Sequence, residues 1–271
     1  MKTALRGSPA DILAAVAGES DDVVVVCVEP STLVAVVDAL ETSTPDRPVR
    51  VLAPAAALRV IDRDHVAAAR LADLVAADAL AVRVDEVEDG EAVVVTEDRL
   101  VALLTDLPDE PVGVVTDDED AVADATDGFE ARWDAATEYE RESPTYSELV
   151  ASIGEAFDDE TAADLQAAIA APGVRGLDNN VDLVDLLVLL AAKHRHQLYE
   201  LTQWGSDAGV ASVGTFSQSK RRLEDIGLID TETVHSGDVG RPRQRLVVGN
   251  EDLADATVEE LVAAAQSVLV T

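Results

Sequence analysis

Residues Val23-Val24-Val25-Val26-Cys27-Val28 form a short, almost wholly β-branched run with no polar residue inside it. A strand with one wet face alternates apolar and polar residues, and this one does not. It therefore reads as a strand buried on both faces, which needs a layer packed on each side. Helices supply those layers in an α/β domain. The neighbouring sequence agrees. Ser31 or Thr32 can cap a helix over 33–40. Residues 49–52 read as a second strand, 55–77 as Ala-rich helix and 79–84 as a third strand. Asp89-Gly90 is a hairpin-type turn ahead of a strand at 92–96. A short helix over 97–104 and a strand at 112–115 complete an α/β domain over residues 1–116, with a mostly parallel sheet. It is expected to sense a small metabolite or to dimerise. Cys27, the only cysteine, excludes an internal disulfide and reads as a small buried hydrophobe.

The chain has 271 residues, 54 acidic and 20 basic, for a net charge of −34. Hydrophobic residues are 48%, so a packed core is within reach and wholesale disorder is excluded. The acids are spread through amphipathic segments rather than gathered in a tail. This pattern reads as a cytoplasmic protein of an extreme halophile, where molar salt shortens the screening length to about 3 Å. No apolar stretch reaches the ~18 residues of a transmembrane helix, and the N-terminal residues lack a secretory pattern.

Against that background the local charge is informative. Residues 1–116 carry 22 acids and 9 bases, and residues 117–172 carry 17 and 2. Residues 173–249 carry 10 acids and 9 bases, and residues 250–271 carry 5 acids and no base. The third segment is nearly neutral and holds His194, His196 and His235.

Residues 117–172 read as an acidic helical connector. Residues 173–249 read as helix, helix, helix, strand, turn, strand, which is a winged helix-turn-helix. Its third helix starts at a Ser212 cap, carries Val213, Phe216, Leu223 and Ile226 on one face, and stops at Gly227. The last segment, 250–271, is one amphipathic helix that packs on the winged domain or pairs with a copy of itself.

The third helix then presents Thr215, Ser217, Gln218, Arg221 and Arg222 on its other side. Gln and Ser reach base edges, while Arg forks to guanine or holds phosphate. Ser212 opens the helix N-terminus, which favours a phosphate. Lys220 is expected to hold phosphate with its stem on apolar surface. The second basic cluster is Gly240-Arg241-Pro242-Arg243-Gln244-Arg245. There Arg241 and Arg243 project from a wing toward the backbone or the minor groove, and Arg245 can pair across the hairpin.

The stretch from Phe216 to Ile229, Phe216-Ser217-Gln218-Ser219-Lys220-Arg221-Arg222-Leu223-Glu224-Asp225-Ile226-Gly227-Leu228-Ile229, resembles the recognition-helix signature of winged-helix transcription regulators, and Gly240-Arg241-Pro242-Arg243 resembles their wing. With its acidic α/β half, the whole chain resembles the haloarchaeal regulators of the TbsP, or TrmB-suppressor, type. That resemblance implies a regulator of central carbon metabolism genes that binds double-stranded promoter DNA.

Other chemistry is poorly supported. His194 and His196 are two residues apart and point away from one another on a helix, so no metal is expected. His194 and Arg195 read instead as phosphate or solvent contacts at a helix end. Glu29, Ser31 and Thr32 lie beyond a strand C-terminus, where α/β sheets bind ligands. Yet no glycine-rich phosphate loop and no nucleophile elbow follows any strand, so no catalytic residue and no cofactor is expected. The expected form is a homodimer with recognition helices about 34 Å apart. The rivals are a winged module that binds protein rather than DNA, and a small-molecule enzyme built on the α/β half.

Overall fold

The computed structural model describes residues 4–20, 22–27, 29–42, 47–85, 92–105, 107, 110–140, 144–171, 174, 181–234, 243–250, 253 and 256–269. The chain divides into two compact units, Met1–Arg63 with Arg70–Glu142 and Asp64–Ala69 with Ser143–Thr271.

The first unit opens with β1 (Ala4–Arg6) and α1 (Pro9–Ala17). Ser8 caps α1 and shares a capping box with Asp11, and Pro9 pre-sets the first turn. Then follow β2 (Val23–Val26), α2 (Pro30–Thr42), β3 (Val49–Ala53), α3 (Ala55–Arg63), α4 (His65–Ala76, of which the residues up to Ala69 count with the second unit), β4 (Leu80–Val84), β5 (Ala92–Thr96), β6 (Leu100–Leu104), β7 (Val112–Thr116), α5 (Glu119–Ala135) and β8 (Thr137–Glu138). One eight-stranded sheet results, in the order β1-β7-β6-β5-β2-β3-β4-β8.

Strand β2 is central and buried along its whole length, as its unbroken valines require. Val24 and Val26 share one face with Leu52 and Val95, and Phe129 of α5 packs there. On the other face Ile12 of α1 lies against Gly113 and Val101, and α2 packs on α1. The expected α/β layering is thus present. Its parallel part is β2-β3-β4. From β5 outward to β1, and at β8, neighbours pair antiparallel. The links β5–β6 and β6–β7 are too short for a helical crossover, so they make hairpins. The helix expected over 97–104 is strand β6, in which Val101 and Leu103 are buried and Leu100, Ala102 and Leu104 are not. That alternation has the period of a strand. The Asp89-Gly90 turn lies outside the described residues.

The second unit contains α6 (Tyr146–Ala156), α7 (Asp159–Ala170), α8 (Leu183–Lys193), α9 (Leu198–Asp207), α10 (Val213–Asp225), β9 (Ile229–Val234), β10 (Arg243–Val248) and α11 (Val258–Leu269). Thr145 and Glu148 form a capping box on α6, and Asp158, Asp182 and Ser212 cap α7, α8 and α10. Strands β9 and β10 pair antiparallel. Helices α8, α9 and α10 with β9 and β10 make a winged helix-turn-helix. Helix α8 is buried on every side, which suits a sequence that is apolar from Leu183 to Ala192 except at Asp185.

Residues 117–172, expected as an acidic helical connector, contain α5, α6 and α7 with the short β8, and residues 250–271 contain α11. Phe129 ties α5 to the sheet of the first unit. Leu149, Ile153 and Leu165 of α6 and α7 share one core with Leu186 and Leu190 of α8. Val258, Val262 and Ala265 place α11 in that same core. No helix among the described residues is long and apolar enough to cross a membrane.

Candidate nucleic-acid interface

Helix α10 is anchored by Phe216 and Leu223, both inaccessible to solvent. The Phe216 ring lies against Gly205 of α9, where a Cβ atom would sit 2.3 Å from a ring carbon. Only glycine allows α9 and α10 to approach this closely. At the start of α10, Ser212 Oγ accepts from the Thr215 amide at 3.2 Å and shares a 2.9 Å bond with Thr215 Oγ1.

The residues expected on the outer face divide into two groups. Thr215, Ser217, Gln218 and Arg221 are exposed. Ser217 Oγ donates to the Val213 carbonyl at 2.8 Å. Gln218 and Arg221 make no hydrogen bond or ion pair with any described residue, so both are available to a partner. Arg222 and Lys220 are spoken for. The Arg222 guanidinium bonds Oδ2 of Asp185, a residue of α8 with no solvent exposure, and lies 3.8 Å from Asp182. Ser219 donates to the other Asp185 oxygen at 2.6 Å. The Asp185 bond raises the Arg222 pKa further, while burial and the nearby Asp185 raise that of Asp182. Lys220 Nζ sits 2.7 Å from Glu224, one turn along.

Arg222 is exposed as well, with 46% of its side chain accessible, but its guanidinium turns to α8 for a geometric reason. At about 100° per residue, Arg222 falls on the flank of α10 toward α8, and Arg221 falls on the free side. The expectation that Val213 lies in the core stripe is corrected: it is 54% exposed, because the first turn of α10 runs past the edge of the core.

On the wing, Arg243 is exposed. Its Nη1 donates to Gln197 at 3.3 Å, and its guanidinium lies 5.8 Å from the Tyr199 ring centre. Arg245 stands opposite Glu232 in the hairpin, but Glu232 pairs with Arg195 at 2.6 Å. Arg241, with Gly237, Gly240, Pro242 and His235, lies outside the described residues.

Helices α9 and α10 and strand β10 enclose a groove of about 500 Å³. Val213 and Ser217 of α10, Tyr199 and Thr202 of α9, and Arg243 and Gln244 of β10 line it. The two elements singled out in the sequence thus meet at one surface. Among the described residues none that lines it is acidic, in a chain with 54 carboxylates. The sequence reading missed Tyr199 and Val213. A tyrosine with no apolar partner at helical spacing was the available signal.

Residues 2–144 match the family model of the TbsP-like transcriptional regulator N-terminal domain, and residues 145–266 match that of the TbsP-like C-terminal helix-turn-helix domain. The chain belongs to the TbsP-like transcriptional regulators. As a member of the TbsP-like family it is a DNA-binding transcription regulator, the class favoured above over an enzyme. The junction of the two models, 144/145, lies beside the division of the fold at Glu142/Ser143. A solved structure of TrmBL2, described as an archaeal chromatin protein with a novel mode of DNA binding, aligns at 14% identity and a TM-score of 0.36. The alignment covers 50% of this TbsP-like chain and 53% of the solved one, so this chain spans about half of that relative. No curated protein matches the sequence.

The remaining candidates are placed as follows. Ser31 Oγ donates to Glu29 at 3.3 Å at the start of α2, and Thr32 is buried. His194 Nε2 is 2.7 Å from Asp164, and His196 Nε2 is 2.8 Å from Thr161 Oγ1. Among the described residues no three His, Cys, Asp or Glu side chains are grouped to hold a metal.

Proposed function

We propose that this regulator reads promoter DNA of central carbon metabolism genes by laying α10 in the major groove and the wing along the backbone or the minor groove. The observation that carries the reading is the groove shared by Ser217 and Arg243, whose described lining holds no carboxylate in an otherwise acid-rich molecule. Gln218 and Arg221 read base edges, and Arg241 and Arg243 hold phosphate or enter the minor groove. Ser212 and Thr215 contribute the helix N-terminus as a phosphate contact. Lys220 and Arg222 act mainly inside the protein, as partners of Glu224 and Asp185.

The working form is a homodimer whose α/β unit binds a small metabolite near Glu29, Ser31 and Thr32 and shifts the spacing of the two reading heads. The acidity fits the cytoplasm of an extreme halophile. In molar salt counterion release adds little, so contacts from Gln218, Ser217 and Arg221 carry more of the affinity.

The test is duplex binding by the full chain in molar KCl. Arg221→Ala and Arg243→Ala are each expected to weaken specific binding by about tenfold, within the range of one base or phosphate contact. Equal, weak binding by all three proteins would favour a winged module that binds protein instead.

A further inference from the structure

The described residues include six exposed large hydrophobic side chains, and two of them, Val213 at 54% and Tyr199 at 61%, line the same groove. Isolated apolar residues on a surface need no explanation. A pair on the one carboxylate-free groove described above does. Neither residue serves the fold. Val213 opens α10, where a β-branched residue has no helix-forming advantage, and the core contact of that helix is made by Phe216. Gly214 follows it. Its φ is not positive, and a Cβ there would meet only Ser212 Oγ at 3.5 Å. The helix therefore has no internal need for glycine at this point. Val213 and Gly214 together give an apolar knob beside a bare stretch of backbone, on the turn of α10 nearest the wing. That combination suits a small apolar group approached closely.

Duplex DNA offers one such group in the major groove, the C5 methyl of thymine. The geometry points to Val213 as a specificity-determining residue that packs on a thymine methyl, with Tyr199 closing the far side of the groove and Gly214 allowing the approach. The assignment rests on the DNA-reading function proposed above. It adds a preference that the polar residues of α10 do not supply: one operator position where thymine is favoured for its methyl group.

The experiment starts with selection of preferred duplexes from a random library by the full chain. Each thymine of the selected site is then replaced in turn by deoxyuridine, which removes the methyl and leaves every hydrogen-bonding atom in place. At one position per half-site the wild-type protein is expected to lose about fourfold in affinity, the factor that burial of one methyl group gives. Val213→Ala is expected to bind thymine and deoxyuridine duplexes equally at that position, while Gln218→Ala keeps the difference. If a site is selected but no deoxyuridine substitution weakens binding, or Val213→Ala keeps the full discrimination, the methyl contact is refuted and DNA reading stands. If no sequence is enriched, the DNA-reading function itself fails. Circular dichroism melting of Val213→Ala checks that the exposed position leaves the fold intact.

Discussion

Arg222 reaches from α10 to the fully buried carboxylate of Asp185 in α8, and its neighbour Arg221 points into solvent. Two adjacent arginines therefore do different work. Removing Arg222 leaves a buried charge with Ser219 as its remaining side-chain partner among the described residues. A broken buried pair costs about 3–5 kcal/mol. The outer edge of Arg222 remains in solvent, so a cost of about 2–3 kcal/mol is expected for Arg222→Ala. Arg221→Ala should stay within about 0.5 kcal/mol of wild type, as exposed substitutions do. Urea denaturation of both variants beside duplex binding checks the split. Stability falls with Arg222→Ala, and affinity at unchanged stability falls with Arg221→Ala.

Gly205 and Phe216 make the second stability prediction. In a helix alanine is favoured over glycine by about 1 kcal/mol. At Gly205 that gain is outweighed, because the new methyl would meet the Phe216 ring at 2.3 Å. Overpacking of this kind costs about 1–3 kcal/mol and sometimes more. Gly205→Ala is expected to be destabilised by about 2 kcal/mol net, read as a lowered Tm. The variant Gly205→Ala with Phe216→Leu should recover part of the loss by freeing space.

The order of elements in the winged half was legible because its helices carry apolar stripes and α10 carries a cap as well. Ser212, Phe216, Leu223 and Gly227 gave α10 almost whole. The unbroken valines of β2 gave the two-faced sheet. What escaped were properties that depend on a distant partner. The strand β6 is apolar at all five positions, so its sequence has no period that separates it from a helix turn until β5 and β7 flank it. The role of Arg222 depends on Asp185, 37 residues earlier. Asp185 itself is a polar residue within an apolar helix, and only the packing of α8 against α10 turns it into an anchor. Just beyond the boundary expected at 116, α5 is acidic on its outside and bound to the sheet through Phe129.

His196 makes stability depend on pH. Burial lowers its pKa below the ordinary 6.5, more strongly than Asp158 raises it, and His194 adds to the lowering. Its neutral ring bonds Thr161 and lies 4.6 Å from Phe157. The folded state thus binds this proton less readily than the unfolded chain. The stabilising contribution is complete above pH 6.5 and declines as pH falls through the lowered value. The denaturation midpoint is expected to fall between pH 7.5 and 5.5. His196→Gln, which keeps a side-chain partner for Thr161 but does not titrate, should have a flatter profile over that interval.

Cys27 ends the β2 run with no solvent exposure, and burial pushes its thiol pKa up to about 12. The thiolate is the reactive species, so at pH 8 the folded protein should resist a disulfide-exchange reagent. Labelling is expected only through opening of the sheet, with a rate that follows the unfolding equilibrium. Prompt labelling under native conditions would contradict the two-sided burial of β2.

Gly214 separates stability from function most directly. Alanine there meets only Ser212 Oγ at an ordinary 3.5 Å. Helix propensity favours the alanine by up to about 1 kcal/mol, and by less in the first turn. Gly214→Ala is therefore expected to be as stable as wild type or more so, by about 0.5 kcal/mol. If the bare backbone of that turn exists to let a duplex approach Val213, the added methyl must hold the two apart. Specific DNA binding should then fall several-fold while the melting temperature rises or holds, and Gly209→Ala, whose φ is +71°, should do the reverse by straining the turn that leads into α10. A Gly214→Ala protein with undiminished affinity would mean that the first turn of α10 does not lie against the DNA.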